Sequence, residues 1–475
     1  MIDILLINPN VSKISDTGEG VLPPLGLCYI SAYVKNQGGK SEVLDANVLN
    51  LDDHQLLQLI KEKAPRIIGF TATTPLITEV GRLSALIKKQ YGDLIIIVGG
   101  PHVTVLPELT LKQNHDIDIV VRGEGEKTTF ELIDHLKKSS QIDYSQIKGI
   151  TYRDSIGQIV SSASQEILAD LNSLPLPDRS DLPNHKYHPS IKWFNRTPFA
   201  TVMTSRGCPN DCIFCASKFI LGRTVRFRSP ENVLEELEQL VKNYGVKEIM
   251  FYDDTFTIDK DRIYKLCDLM ITSKLNITWG CLSRVDRIDK DLLFKMRQAG
   301  CHIMCYGVES GSEEMLKAIR KNINLKQVKE AILATRQVGI DCSASFVFGV
   351  PGETADTMKK TIDFALEIDP LFAQFYRVVP YPGTDLFKMY LDSHDISSID
   401  WEEFLEIGNA DKLMKLDTIS EEEFNRLLKL SYLRFYLRPK KIMQLIIKMV
   451  SPYKIKGVIL AGAYFIKILF GKKKN

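Results

Sequence analysis

Thr204-Ser205-Arg206-Gly207-Cys208-Pro209-Asn210-Asp211-Cys212-Ile213-Phe214-Cys215 is the stretch on which the reading of this chain turns. Three of the nine cysteines fall within its last eight residues. Thiolates are soft ligands that hold zinc or iron–sulfur clusters. Intervals of three and two residues let one loop wrap three corners of a cubane. A closed structural zinc site takes four ligands, and the next cysteine, Cys267, lies far downstream inside a helical pattern. Three thiolates on a 4Fe-4S cluster leave one iron open to another ligand. The competing reading is a zinc knuckle or a fortuitous grouping.

The loop follows an apolar run, Ala200–Thr204, the first of six strand candidates. The others are Glu248–Tyr252, Ile277–Leu282, His302–Val308, Ser343–Phe348 and Ala373–Val379. Helical patterns such as Pro230–Tyr244, Asp261–Ser273 and Leu325–Val338 separate them. Six βα repeats predict an open, partial βα barrel, with its chemistry at the carboxyl ends of the strands. Those ends carry Asp253-Asp254-Thr255-Phe256, then Arg284 with Asp286, Gly307-Val308-Glu309-Ser310-Gly311, Phe348 to Glu353, and Tyr381-Pro382-Gly383-Thr384. Any one of these reads as a turn or a surface ion pair. Five in succession point to a shared site.

Upstream, residues 1–138 alternate short apolar runs (Ile4–Ile7, Val43–Leu44, Ile67–Phe70, Leu94–Val98, Ile117–Val121) with helical patterns such as Leu83–Lys89 and Thr129–Leu136. Five βα units predict a doubly wound, Rossmann-like parallel sheet, whose ligands sit beyond the carboxyl ends of the strands. The loops there include Thr71 to Pro75, Gly99-Gly100-Pro101-His102 and Arg122-Gly123-Glu124-Gly125-Glu126. They can equally be ordinary βα turns that need glycine for geometry. No GxGxxG is present, which disfavours a nicotinamide or flavin site. Residues 139–195 hold Pro175, Pro177, Pro183 and Pro189 and read as a linker with a small hairpin around Gly149–Arg153. Residues 196–400 form the barrel, and 401–475 a helical, basic C-terminal region.

A net charge of +2 gives no field for nucleic acid. Nine cysteines in 475 residues do not form a disulfide scaffold, and the six outside the loop read as buried small hydrophobes or lie singly. The N-terminal apolar run is short, with no basic region before it, and reads as a strand rather than a signal peptide. No stretch reaches the roughly 20 apolar residues that span a bilayer. The cytoplasm is the expected compartment. From Arg426 to Asn475 there are thirteen Lys and Arg and no Asp or Glu, and Gly457–Phe470 is nearly all apolar. A helical cap with a solvated basic end, or peripheral contact with anionic lipid, both fit that tail.

The CxxxCxxC loop resembles that of the radical S-adenosylmethionine (SAM) superfamily. A Rossmann-like domain before the barrel, with Pro23-Pro24-Leu25-Gly26-Leu27, Gly99-Gly100-Pro101-His102 and Arg122–Glu126, resembles the cobalamin-binding subclass, which includes class B methyltransferases and the anaerobic Mg-protoporphyrin ester cyclase. The resemblance covers roughly residues 1–440. It implies that Cys208, Cys212 and Cys215 ligate a 4Fe-4S cluster, and that SAM chelates the open iron and is cleaved to a 5′-deoxyadenosyl radical. It implies Phe214, Asp254, Arg284, Glu309 and Ser310 around SAM, with Arg284 on the SAM carboxylate, and Thr71, Gly99, Gly100, His102, Gly123 and Glu124 around cobalamin. One departure matters. Where many cobalamin proteins carry DxHxxG, this chain reads Asp45-Ala46-Asn47-Val48-Leu49-Asn50. An amide is a poor cobalt ligand, so cobalamin is expected base-off, without a histidine ligand.

The expected activity is cobalamin-dependent C-methylation of an unactivated carbon. Cobalamin-dependent oxidative cyclisation or rearrangement is the alternative within the family. A non-catalytic cobalamin or SAM sensor is the alternative of another class, disfavoured by the intact three-cysteine loop. A methylthiotransferase would carry more cysteines in the first domain, where Cys28 stands alone. The expected partners are a small-molecule or lipid-like substrate and an electron donor such as flavodoxin or ferredoxin.

Overall fold

Each short apolar run of the first domain forms a strand, and alternate side chains of a strand enter opposite layers. Leu5 and Ile7 join one core cluster, while Ile4 and Leu6 join a second on the other face. The computed structural model describes residues 2–10, 20–138, 143–190, 193–404, 413–414 and 416–448. In sheet order the strands are Ser41–Asp45, Ile4–Asn8, Ile67–Thr71, Ile95–Gly99, Ile119–Val121, Ile150–Arg153 and Ile159–Ser161. The first five are parallel, and the last two form an antiparallel hairpin. The hairpin foreseen in the linker therefore extends the first sheet. Chain winding reverses on either side of Ile4–Asn8, which places a topological switch point at Asn8 and Thr71.

The second sheet has six strands in chain order, all parallel: Phe199–Val202, Glu248–Phe251, Thr278–Ser283, Cys301–Glu309, Asp341–Phe348 and Phe372–Arg377. This is the expected open barrel. One core cluster runs from the first domain (Leu5, Val98) into the second (Trp279, Phe346), so the two pack on each other. The end of the linker also closes the barrel's amino end. Phe194 is buried against Phe199, with ring centroids 4.9 Å apart. Asn195 Nδ2 lies 2.6 Å from His302 Nδ1, and His302 Nε2 lies 2.5 Å from Glu248 Oε1.

An open barrel leaves its last strand an unpaired edge. Helix Glu421–Tyr436 covers it with two hydroxyls one turn apart. Tyr432 accepts from Phe375 N at 3.2 Å and donates to Phe375 O at 2.9 Å. Tyr436 does the same for Ala373, at 3.1 and 2.8 Å. Among the described residues no helix is long and apolar enough to cross a membrane. Residues 449–475, with the apolar segment Gly457–Phe470, lie outside the described residues.

Candidate active site

The cysteine loop leaves the first barrel strand through a two-residue ribbon, Ser205–Arg206 paired with Arg226–Phe227. Buried Asp253, at the end of the second strand, accepts from Thr204 N at 2.6 Å and from Ser205 Oγ at 2.8 Å, fixing the entry to the loop. Gly207 has φ +101°, and a Cβ there would lie 2.4 Å from Thr224 O, so no other residue fits that turn. Cys208 N donates to Gly222 O at 3.1 Å, Asn210 Nδ2 to Cys208 Sγ at 3.3 Å, and Cys215 N to Cys212 O at 3.2 Å. All three thiols are free of disulfides. Burial pushes the Cys215 thiol up to about 11 and raises that of Cys212. Among the described residues no three His, Cys, Asp or Glu side chains are grouped to hold a single metal ion.

Phe214, inside the loop, also lines a cavity of about 390 Å³ at the carboxyl ends of the barrel strands. Asp254, Arg284 and Glu309 share that wall, so four of the expected residues come together. Glu309 has φ +70°, and its buried carboxylate accepts from Lys321 Nζ at 2.7 Å. A Cβ on Gly307 would lie 2.3 Å from Glu309 Oε1 and 2.9 Å from Lys321 Nζ, so this glycine makes room for the ion pair. Arg284 is held by Asp286, at 2.9 and 3.1 Å, and by Lys321 O at 2.9 Å. Trp193, Gln374, Tyr376 and Arg377 line the same cavity. Arg377 is paired with Glu421 and lies over the Phe424 ring at 4.2 Å. Lys321 and Trp193 were not foreseen. A lysine in a polar stretch and a tryptophan in a proline-rich linker carry no sequence signal of a site.

Ser310 does not line the cavity. It is buried, its hydroxyl 3.0 Å from Thr361 Oγ1 and accepting from Ser312 N at 3.1 Å, beside the start of helix Glu313–Ala318.

Of the loops in the first domain, Thr71 and Gly99 are half-buried at strand ends. Gly100, φ +108°, is required because a Cβ would lie 2.7 Å from Ala72 O, where two loops touch. Gly123, φ +73°, is exposed and faces open space. Two expected contacts are engaged elsewhere. The His102 ring is 1% exposed, packed edge-on against Trp401 at 4.7 Å, and burial pulls its pKa down to about 4. Glu124 makes a two-pronged pair with Arg226 at 2.7 and 2.9 Å and lies 3.3 Å from Arg206. Burial pushes the Glu124 carboxyl up, but Arg226 and Arg206 outweigh it and hold it below the usual carboxylate range. Arg206 also pairs with Glu126 at 2.6 Å and lies over the Tyr29 ring at 5.2 Å. The Arg122–Glu126 loop thus locks the first domain to the ribbon that leads into the cysteine loop. On the far side of Asn8 from Thr71, Asp45 accepts from Asn8 Nδ2 at 2.9 Å and from Tyr187 Oη at 2.7 Å. Asn47 follows, half-buried.

The radical SAM superfamily model matches residues 202–365, and the B12 binding domain model matches residues 11–133. An uncharacterized methyltransferase of Pyrococcus horikoshii is 34% identical, over 93% of this chain and 94% of that protein. The chain belongs to the radical SAM enzymes with a B12-binding domain. Within that family, the anaerobic magnesium-protoporphyrin IX monomethyl ester cyclase of Rubrivivax gelatinosus is 30% identical, over 91% of this chain and 77% of its own. The radical SAM methyltransferase TsrM from Kitasatospora setae, solved with tryptophan and a SAM analogue, superposes with a TM-score of 0.71 at 18% identity, over 86% of this chain and 82% of its own. OxsB, solved with aqua-cobalamin and SAM, gives 0.66 at 21% identity, over 91% of this chain and 61% of its own. These two likenesses show that the radical SAM fold with its B12-binding partner is shared.

Proposed function

We propose that this radical SAM enzyme methylates an unactivated carbon of a small molecule. In this reading Cys208, Cys212 and Cys215 hold a 4Fe-4S cluster. The wall formed by Phe214, Asp254, Arg284, Glu309 and Lys321 receives SAM, and Thr71, Gly99, Gly100 and Gly123 face cobalamin. The observation that carries it is Phe214, which ties the three-thiol loop to a cavity walled by fixed charges of both signs. Arg284 offers a guanidinium to a carboxylate, and Glu309 an acceptor to an ammonium, matching the two ends of an amino acid. The donor set suits a cluster, because thiolates are the soft ligands that hold iron–sulfur centres. Gly123, open to space at the rim of the parallel sheet, suits a flat ligand lying against backbone. When bound, the cluster supplies the electron that splits SAM, and cobalamin supplies a methyl carrier. The chain's own task is to align the reacting groups and exclude water.

Asn47 at the histidine position supports base-off cobalamin. Around the cysteine loop, Lys218, Arg223 and Arg320 meet on Asp211, and Lys388 pairs with Asp385. This basic rim suits an acidic flavodoxin or ferredoxin. We place the enzyme in the cytoplasm, with residues 1–138, 139–195, 196–400 and 401–475 as its parts and peripheral membrane contact through the tail. Cobalamin-dependent oxidative cyclisation is the second reading, favoured by the 30% identical cyclase. Anaerobic reconstitution with iron, sulfide and cobalamin, followed by dithionite and SAM, tests the proposal. Release of 5′-deoxyadenosine by a protein with both iron–sulfur and corrin absorbance supports it. No release from cluster-loaded protein overturns it.

A further inference from the structure

Helix Pro439–Lys448 is turned the unusual way round for a helix packed on a water-soluble domain. Its buried residue is a lysine. Lys441, 1% exposed, donates to Pro370 O at 2.6 Å, pairs with Asp369 at 2.8 Å and lies beside the Phe435 ring at 4.9 Å. Arg438, just before the helix, pairs with the same Asp369 at 2.7 Å. The helix is thus pinned to the C-terminus of helix Ala355–Ile368 by charge. Its apolar side chains point out: Ile442 is 42% exposed, Met443 59%, Ile446 56% and Ile447 67%. At about 100° per residue these four share one arc, opposite Lys441. Of the twelve large apolar side chains exposed among the described residues, five lie between Leu437 and Ile447. The other seven are scattered along the chain, as isolated surface apolar residues ordinarily are, whereas a contiguous group marks a contact surface.

We propose that this face docks on an anionic lipid bilayer. The charge of the surrounding chain selects that occupant. Between Arg426 and Asn475 stand thirteen Lys and Arg with no Asp or Glu. Asp341, Asp363 and Asp369 offset part of the charge on Lys448, Arg434 and Arg438. Residues 449–475, which follow the helix directly, add Lys454, Lys456, Lys467 and Lys472–Lys474 with nothing of opposite sign. An occupant of this face must therefore accept apolar side chains and offer negative charge. A second copy meeting it through the same patch would bring these cations against each other. An anionic membrane surface satisfies both demands, by insertion of the apolar arc and by attraction of each nearby lysine. The proposal is independent of the methylation reading.

The test is sedimentation of the full-length protein with vesicles of phosphatidylcholine, with or without a third of phosphatidylglycerol. The wild type is expected to pellet with the anionic vesicles and to stay in solution with neutral ones or at high salt. The variant carrying Ile442→Gln, Met443→Gln, Ile446→Gln and Ile447→Gln is expected to bind roughly tenfold less or weaker, with unchanged iron content and SAM cleavage. Wild-type protein that stays in solution with anionic vesicles overturns the proposal, and this arm needs no variant to fold. Equal pelleting of the variant overturns it too. So does a dimer, seen by light scattering, that the variant abolishes, because the face then belongs to a second copy.

Discussion

Glu353 shows how a residue at a strand end can be mistaken for part of a site. The turn Phe348–Glu353 follows the fifth barrel strand, where chemistry is expected. Yet the Glu353 carboxyl is 1% exposed, accepts from Gly349 N at 3.3 Å and from Thr357 Oγ1 at 2.5 Å, and folds the turn onto the next helix. Burial outweighs those bonds and lifts its pKa to about 7. An unfolded chain releases this proton near the ordinary value of 4.5, whereas the folded one holds it until about 7. Stability is therefore lost as pH rises across that window, by about 3 kcal/mol. Urea unfolding of Glu353→Gln from pH 4 to 8 should lack that part of the slope. An identical profile in both proteins would refute the assignment. At this scale the sequence was legible for Phe214, Asp254, Arg284 and Glu309, whose residue types and strand-end positions foretold the cavity wall they share. It was mute on Lys321, Trp193 and Arg377, which reach the cavity only through tertiary packing. His102, Ser310 and Glu124 carry the right type, but burial or ion pairing engages each elsewhere.

Secondary elements were easier to read, because period-2 apolar runs and helical spacing are local properties. All eleven expected strands appear, five parallel in the first sheet and six parallel in the second. The linker hid more. Its hairpin joins the first sheet, Phe194 and Asn195 close the amino end of the barrel, and Trp193 reaches the cavity, roles set by distant partners and masked by prolines. The last barrel strand is a similar case, since nothing in Phe372–Arg377 reveals how its edge is covered. Tyr432 and Tyr436, one helical turn apart, each satisfy a donor and an acceptor of that strand. Tyr432→Phe and Tyr436→Phe should each cost about 1–3 kcal/mol, because the stranded backbone groups lose their partner away from water. Hydrogen exchange should show the amides of Phe375 and Ala373, respectively, losing protection. Unaltered exchange would mean that water replaces the hydroxyls at no cost.

The whole molecule is held by charge as well as by a shared core. Arg206, two residues before the first cysteine, reaches Glu126 of the other domain, and both are more than nine-tenths buried. Removing Glu126 leaves Arg206 only its 3.3 Å contact with Glu124, which costs about 1–3 kcal/mol, whereas removing both members can be nearly neutral. Glu126→Gln should therefore lower urea stability by that amount and reduce iron loading, and Glu126→Gln with Arg206→Met should recover much of the stability. Equal losses in the single and double variants would show that the pair does not couple the domains. The order of domains was legible because a parallel-sheet pattern precedes a barrel pattern. Their interlock was not, because it depends on which loop meets which ribbon in space. The proposed chemistry needs three sulfurs that hold a cluster with one iron free for SAM. The most direct measurement is the electron paramagnetic resonance spectrum of anaerobically prepared, dithionite-reduced protein before and after SAM is added. A reduced 4Fe-4S signal that SAM reshapes, and that Cys212→Ala abolishes together with the bound iron, is the predicted result. Zinc in place of iron, or a cluster signal that SAM leaves unchanged, would contradict it.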